Sequence, residues 1–497
     1  MQTNGRDVPE GTELRAQVCV VGSGPAGITA AWYLQKAGID VILIEGSREH
    51  GGVLSQSWPD KDLLYAGDAV GLFEHNEPGF LTSPLYQGQS PSERERFFGG
   101  TSTHWGGQSR PLDAVDFEAR PGFPGWPIAR ADLDPWYAEA ADFCMLHGDD
   151  FTAEYWAGTL GLPPSAVPRI AGFDTCMYQF LGGDFLNFAT RTFSDGSTPG
   201  GSTISDSKAR VILNASLLEI EQQHGSVARL RVASMTDTDP PEKNGEFFIR
   251  ADICVLACGA VANAQQLLLS NIGNEHDQVG RYFMCHPLSM GTNVSITRPF
   301  LTAEQSDLVG GNRADGSSWR DANGVRVTGR FQLDAETLRQ YNIGNCWMRS
   351  YSAAIYFEMA PNPDSRITLI ADTDPVFGQR QVQIDWQLSP LDQTTYETST
   401  ALFKTAVNTL GGDIYAPPWS QMLSALVVNG HHLGTTRMSS DPTRGVVDAN
   451  LKVHSLDNLY VAGASVFVTA GVSNPTFTII ALSIRLAEHL RTKLAAA

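Results

Sequence analysis

The block Gly430-His431-His432-Leu-Gly-Thr-Thr-Arg437-Met concentrates the residues best able to do chemistry. It falls in a break between apolar segments, and Gly434 permits a turn. Two adjacent histidines beside a glycine are seldom a packing choice. A neutral imidazole at His431 could take a proton from a substrate. The competing reading is a pair of surface or hydrogen-bonded core histidines. A second block runs Gly463-Ala-Ser-Val-Phe-Val-Thr-Ala-Gly-Val-Ser-Asn474-Pro475-Thr. Gly463 directly follows the apolar strand 459–462, so the backbone there can come close to a cofactor. Asn474 stands before Pro475 at a helix start, where it is a natural N-cap.

The cofactor is suggested by Val18 to Gly46. Val18–Val21 and Val41–Ile44 are apolar, mostly β-branched runs that read as buried strands. Between them stand Gly22-Ser-Gly24-Pro-Ala-Gly27, a helix over 26–36, and Gly38 as its stop. Gly22 allows the tight turn, Gly24 lets the backbone reach a pyrophosphate, and Gly27 lets helix and strand pack closely. The helix N-terminus offers free N–H groups to the phosphates. Glu45 sits where a carboxylate would accept from a ribose diol. The motif suits FAD and NAD equally, and the acid disfavours NADP.

Net charge −19 over 497 residues argues against nucleic acid or an anionic membrane as partner, since both select basic patches. Hydrophobic residues at 42% and charged residues at 18% fit a well-packed chain too long for one small core. Seven cysteines are no disulfide framework at this length, and no Cys/His set has metal-ligand spacing. Cys254 and Cys258 read as buried and inert. The polar N-terminus lacks the apolar segment of a signal peptide, and no apolar run is long enough to span a bilayer. The expectation is a soluble, cytoplasmic protein. A homo-oligomer is neither favoured nor excluded.

Elsewhere the chain reads as alternating units. Gly51-Gly52 to about Arg96 is loop with short elements. Phe97 to Gly107 is a glycine-rich loop around His104-Trp105, fit for backbone pressed against a ligand. A helix opens around Trp126–Tyr137 and runs to about Met145. Thr152 to Thr198 reads as an excursion rather than sheet. Short strands follow at 209–213, 217–222, 227–233 and 246–249, then a buried strand at 253–257 and a helix over 259–270. That second strand-Gly-helix unit suits a return into the same parallel sheet. Alternating runs between Ser289 and Trp386 predict an antiparallel sheet with one wet or ligand-facing side. Helices follow at 391–410 and 474–493. The fold class is α/β (α+β): a Rossmann-like dinucleotide domain over 1–150, 200–288 and 430–497, interleaved with a substrate domain over 151–199 and 289–429.

Over nearly its whole length the chain resembles the glucose–methanol–choline (GMC) oxidoreductases. The likeness rests on VVGSGPAG with Glu45, GGTSTHWGG, VLACGAVANAQQLLLS, PNPDSRITL, HHLGTTRM and NLYVAGASVF…NPTFTIIALSIRLAEHL. It implies bound FAD and oxidation of an alcohol to a carbonyl. His431 matches the family's catalytic base, which takes the alcohol proton while hydride leaves for flavin N5. Asn474 matches the second catalytic position and would hydrogen-bond the substrate oxygen. His432 stands where many relatives have proline, and Val468 is a similar departure. The resemblance implies FAD contacts at Gly22, Gly24, Pro25, Ala26, Gly27 and Glu45, and at Gly100, Thr101, Ser102, His104, Trp105 and Gly106. It implies others at Val211, Cys258, Gly259, Gly463, Ala464, Asn474, Pro475 and Thr476. Thr103-His104-Trp105 is similar to the segment carrying a histidyl–flavin bond in pyranose oxidases; other relatives bind FAD without one.

The THW segment, the HHLGTTRM form and the His/Asn pair are most similar to the sugar-oxidising branch: pyranose oxidases, C-glycoside oxidases, fructose dehydrogenase and aminoglycoside alcohol oxidases. That implies a small-molecule alcohol of carbohydrate type, with oxygen or a quinone-like acceptor. Trp347, Tyr351, Tyr356 and Phe357 could stack on a sugar, or be core. Two other readings stand beside this one: a hydroxynitrile-type lyase with structural FAD, and a non-catalytic flavoprotein.

Overall fold

Apolar strands flanked by helices must be buried on both faces, and Val18–Val21 and Val41–Ile44 are. The computed structural model describes residues 2–46, 63–67, 96, 98–103, 105–181, 188, 190–193, 201–238, 241–289, 295–348, 355–423, 426–428 and 430–496. Among these, an eight-stranded sheet carries Gln2–Asn4, Arg210–Leu213, Val41–Ile44, Glu13–Val21, Lys243–Leu256, Ser226–Met235 and Ser216–Gln223 in that order. Leu459–Val461 pairs in parallel with the end of Lys243–Leu256. Helices Pro25–Lys36 and Pro475–Ala496 pack on each other beside this sheet. The second buries Phe477, Ile480, Leu482, Ile484, Leu486 and Leu490. At about 1.5–3 kcal/mol for each large apolar side chain buried, that face anchors the helix start, and Asn474 with it.

The strands expected at 246–249 and 253–257 are one strand, Lys243–Leu256. Arg250 and Asp252 are its exposed positions between buried Ile249, Ala251 and Ile253, so the alternation never breaks. Arg250 is held across the sheet by Glu13 at 3.2 Å. The first part pairs antiparallel with Ser226–Met235, and the last part lies between two parallel neighbours.

A seven-stranded antiparallel sheet stands beside the first, in the order Leu426–Val428, Pro287–Ser289, Ile355–Phe357, Cys346–Met348, Arg326–Leu333, Phe173–Phe180, Gln108–Ser109. Three expectations are corrected here. The stretch read as an excursion contains Phe173–Phe180, which pairs along its whole length with Arg326–Leu333. The single sheet expected between 289 and 386 is divided. Arg366–Thr373 and Arg380–Trp386 join Leu63–Gly67 in a separate three-stranded sheet, and among the described residues Ser295–Arg298 pairs with Asp413–Tyr415 alone. Alternation shows that a run is a strand but not which partner its edge meets. The helix expected from Trp126 begins at Asp134, after a short 3-10 turn at Arg130–Asp132.

The register gives the second sheet two unlike faces. Cys176, Tyr178, Thr328, Arg330, Gln332, Trp347 and Tyr356 share one; Met177, Phe331, Met348, Ile355 and Phe357 share the other. The first face carries the polar groups and leads to His431. Among the described residues no helix is long and apolar enough to cross a membrane.

Candidate active site

Gly22 has φ 100°, a value that only glycine adopts without strain. A Cβ there would lie 2.6 Å from the Ala257 carbonyl oxygen, and one on Gly27 would lie 1.9 Å from the Gly22 oxygen. Strand and helix therefore close with no room for a side chain. Gly24 is the opposite case: a Cβ there would meet nothing within 4 Å. Gly24 caps the helix Pro25–Lys36 without any side-chain bond to the helix amides. The first-turn N–H groups of Ala26 and Gly27, after Pro25 which has none, and the positive dipole end are thus offered to an anion.

Ser23 ties the turn to the next strand. Its N–H (3.1 Å) and hydroxyl (2.5 Å) both donate to Glu45 Oε2, which occupies part of the acceptor capacity that a ribose diol would use. Gly99 N–H donates to Ser23 Oγ at 3.2 Å. A Cβ on Gly100 would stand 3.0 Å from Gly24 Cα, so the two glycine blocks meet backbone to backbone. Ser102 Oγ donates to the Gly99 carbonyl at 2.5 Å. Thr101 and Gly106 are exposed, and Trp105 stacks on Phe188 at 6.1 Å. His104, Tyr351 and the Gly51-Gly52 loop lie outside the described residues.

The third wall is Cys258-Gly259 with Gly463-Ala464. Cys258 is half-buried, not buried as expected, and its thiol donates to the Val21 carbonyl at 3.2 Å. Asn263, unforeseen from sequence, clamps this wall. Its Oδ1 accepts from Cys258 N–H at 2.9 Å; its Nδ2 donates to the Ala462 carbonyl at 3.1 Å and to Ser465 Oγ at 2.9 Å. The available signal was a buried carboxamide in the first turns of an otherwise apolar helix, ahead of Gln265 and Gln266. Val211 is not brought to this surface. It is a fully buried mid-strand residue flanked by Gln2–Asn4 and Val41–Ile44. The open backbone at Gly24 and Gly259, the uncapped helix end and Glu45 together fit a dinucleotide such as FAD.

His431 is placed by main-chain pairing. Met284 and Leu433 bridge antiparallel, with N···O distances of 3.1 and 2.9 Å. Two residues on from Met284 and two back from Leu433, that register sets His286 opposite His431. Gly434 and Thr436 N–H donate to the Ala464 and Ser465 carbonyls at 3.1 and 2.8 Å, pinning the block to the cradle. Asn474 follows Ser473, whose hydroxyl donates to the Pro111 carbonyl at 2.9 Å and accepts from Arg110 at 3.1 Å. Pro475 and Thr476 then begin the helix.

Asn474 Nδ2 lies 3.3 Å from His431 Nε2. Asn474 Oδ1 is buried and accepts no hydrogen bond among the described residues, so the side chain does not cap the helix as expected. Pro475 at the first helical position has no N–H to offer, and the amide has turned to the histidine. His431 Nδ1 lies 2.9 Å from His286 Nδ1 and 2.5 Å from the Tyr356 hydroxyl. His286 Nε2 is 3.0 Å from the Gly471 carbonyl oxygen. Tyr356 stacks on Trp347 at 4.7 Å with an interplanar angle of 16°; Phe357 points to the apolar face. His432 packs at 5.2 Å from the Phe283 ring.

Burial pushes His286 down to about 4. His431 is held well below the ordinary histidine value, by burial first and then by His286 and His432 as potential like charges. Both rings are neutral near pH 7. A neutral imidazole beside a carboxamide, next to an open dinucleotide cradle, can remove a proton from a hydroxyl while its oxygen is held. That combination fits a dinucleotide-dependent oxidoreductase.

Residues 361–483 match the family model described as GMC oxidoreductase, and residues 17–75 match that of FAD dependent oxidoreductase. With the fold, these matches make the chain similar to the GMC flavoprotein oxidoreductases. It is 26% identical to 6'''-hydroxyparomomycin C oxidase of Streptomyces lividus, over 96% of this chain and 92% of that protein. It is 23% identical to the fructose dehydrogenase large subunit of Gluconobacter japonicus, over 96% and 98%. An FAD-dependent oxidoreductase from Chaetomium thermophilum shares the fold, with TM-score 0.59 at 15% identity over 97% of this chain and 100% of that one.

Proposed function

We propose that this protein oxidises a hydroxyl-bearing carbon of a sugar, glycoside or sugar-like molecule to a carbonyl. The observation that carries the reading is the 3.3 Å approach of Asn474 Nδ2 to His431 Nε2. His431 is the base that takes the hydroxyl proton at Nε2, and Asn474 holds the substrate oxygen as charge develops on it. Bound FAD supplies the acceptor for the hydride that leaves the carbon. Gly22, Gly24, Gly27, Glu45, Gly100, Gly259 and Gly463 hold that cofactor. The segments 1–150, 200–288 and 430–497 form its domain, and 151–199 with 289–429 form the substrate domain. The carbohydrate class is supported by the two relatives whose names state hydroxyparomomycin and fructose as what they oxidise.

The test is anaerobic bleaching of the flavin across a panel of sugars, glycosides and simple alcohols, with reoxidation then compared between oxygen and a quinone. Bleaching by sugar-like alcohols in the wild type, lost in a His431→Ala variant that keeps its FAD, supports the reading. A flavin unchanged by the whole panel contradicts it. Acid precipitation of the holoprotein distinguishes a flavin bonded to His104 from a dissociable one.

A further inference from the structure

The two ring nitrogens of His431 meet different company, and the network leaves one assignment of their protons. The Gly471 carbonyl can only accept, so His286 Nε2, 3.0 Å away, carries a hydrogen. His286 is fully buried and neutral, so its Nδ1 is a lone pair. His431 Nδ1 lies 2.9 Å from that lone pair, and two lone pairs cannot face each other at that distance. His431 Nδ1 must therefore carry the hydrogen. The Tyr356 oxygen, 2.5 Å from the same nitrogen, shares it as a second acceptor. The opposite arrangement has Tyr356 donating to His431 Nδ1. It would require hydrogens on both nitrogens of His286, a form disfavoured about a thousandfold at pH 7 when burial holds the ring near 4.

We propose that His286 is a positioning residue that fixes His431 as the Nδ1–H tautomer, so that Nε2 is the lone pair presented to the substrate hydroxyl. The inference rests on His431 being the base. Which nitrogen of an imidazole is protonated is set by the hydrogen bond that the other makes, and here a second imidazole makes it. When Nε2 takes the substrate proton, the Nδ1–H···Nδ1 bond to His286 becomes charge-assisted and strengthens. The acceptor carbonyl is itself held, because Gly471 N–H donates to the buried Glu358 at 2.8 Å. Among the described residues, Tyr356 is the other group at His431 Nδ1, and it cannot fix the tautomer by itself, because a hydroxyl can donate as well as accept.

The test compares two substitutions in the FAD-loaded protein. His286→Gln places an amide at the Nε2 position and keeps the donor to Gly471, but presents no acceptor to His431. His286→Asn places an oxygen at the Nδ1 position and keeps that acceptor. Nitrogen-15 spectra of histidine-labelled protein, assigned by loss of the His431 signals in His431→Ala, report which nitrogen is protonated. The wild type should show His431 protonated at Nδ1. His286→Gln should move the proton toward Nε2 and slow anaerobic flavin reduction by about 10- to 100-fold with little change in KM. His286→Asn should restore both the tautomer and most of the rate. A wild-type His431 protonated at Nε2 overturns the proposal, as does a His286→Gln variant with unchanged tautomer and rate. The tautomer is read without turnover, so a His431→Ala variant of undiminished rate would sink the base assignment separately.

Discussion

The glycine cradle and the histidine face tolerate change differently, because one is built from backbone and the other from side chains on distant segments. In the cradle, function is the absence of atoms: Gly27 has no space for a methyl group, and Gly24 has space that a phosphate would use. At the histidine face, each atom is useful only through its partner, and the partners come from four segments around 286, 356, 431 and 471–474. The cradle should therefore fail by steric exclusion, and the face by loss of chemistry with the fold intact.

The largest effect expected is on the cradle. Gly27→Ala would drive Gly22 away from the helix and abolish FAD retention, seen as colourless protein after purification. Gly24→Ala, with open space before it, should leave the apoprotein as stable as wild type yet weaken FAD binding. Equal damage from both would break the distinction between packing and ligand-facing glycines. Next comes His431→Ala, which should keep its yellow colour and lose about 10²- to 10⁴-fold in the rate of anaerobic flavin reduction, the usual contribution of a general base. Unchanged reduction would remove the histidine from the chemistry.

A smaller effect is expected where the two regions join. Glu358 accepts N–H bonds from Gly471 at 2.8 Å and Asn345 at 2.9 Å. Glu358→Gln would turn an amide NH2 toward one of those donors. The cost should be about 1–3 kcal/mol, the penalty for a buried unpaired polar group, seen as a lower denaturant midpoint. The smallest expected effect is a flat response. As the proposed base, His431 would act in its neutral form, present above its pKa, and burial pushes that pKa well below the ordinary value. Flavin reduction should therefore hold constant as pH falls from about 8 to about 6, through the ordinary histidine range. An acid limb within that window would mean that the ring is more hydrated than the structure shows.

Much of the fold was legible along the chain. The parallel strands, the glycine turn and the helices at both ends declare themselves through continuous apolar runs, glycine spacing and proline starts. The divided sheets were not legible. Arg366–Thr373 and Arg326–Leu333 alternate alike, yet they pair with different partners. Asn474 kept two readings, helix cap or substrate-facing amide, for a related reason: a side chain before Pro475 looks the same whether it turns back to the helix or across to His431. His286 was overlooked because a histidine before a proline in an apolar run announces nothing until Met284 and Leu433 are seen to pair.

The sequence by itself determined the strand, glycine turn and helix of the dinucleotide motif, because these interact within a few residues of one another. Only the tertiary structure decided which partners the two nitrogens of His431 meet and which aromatics stand beside it. Those depend on hydrogen bonds between residues separated by as many as 185 positions, as between His286 and Gly471, and no local pattern encodes such a pairing.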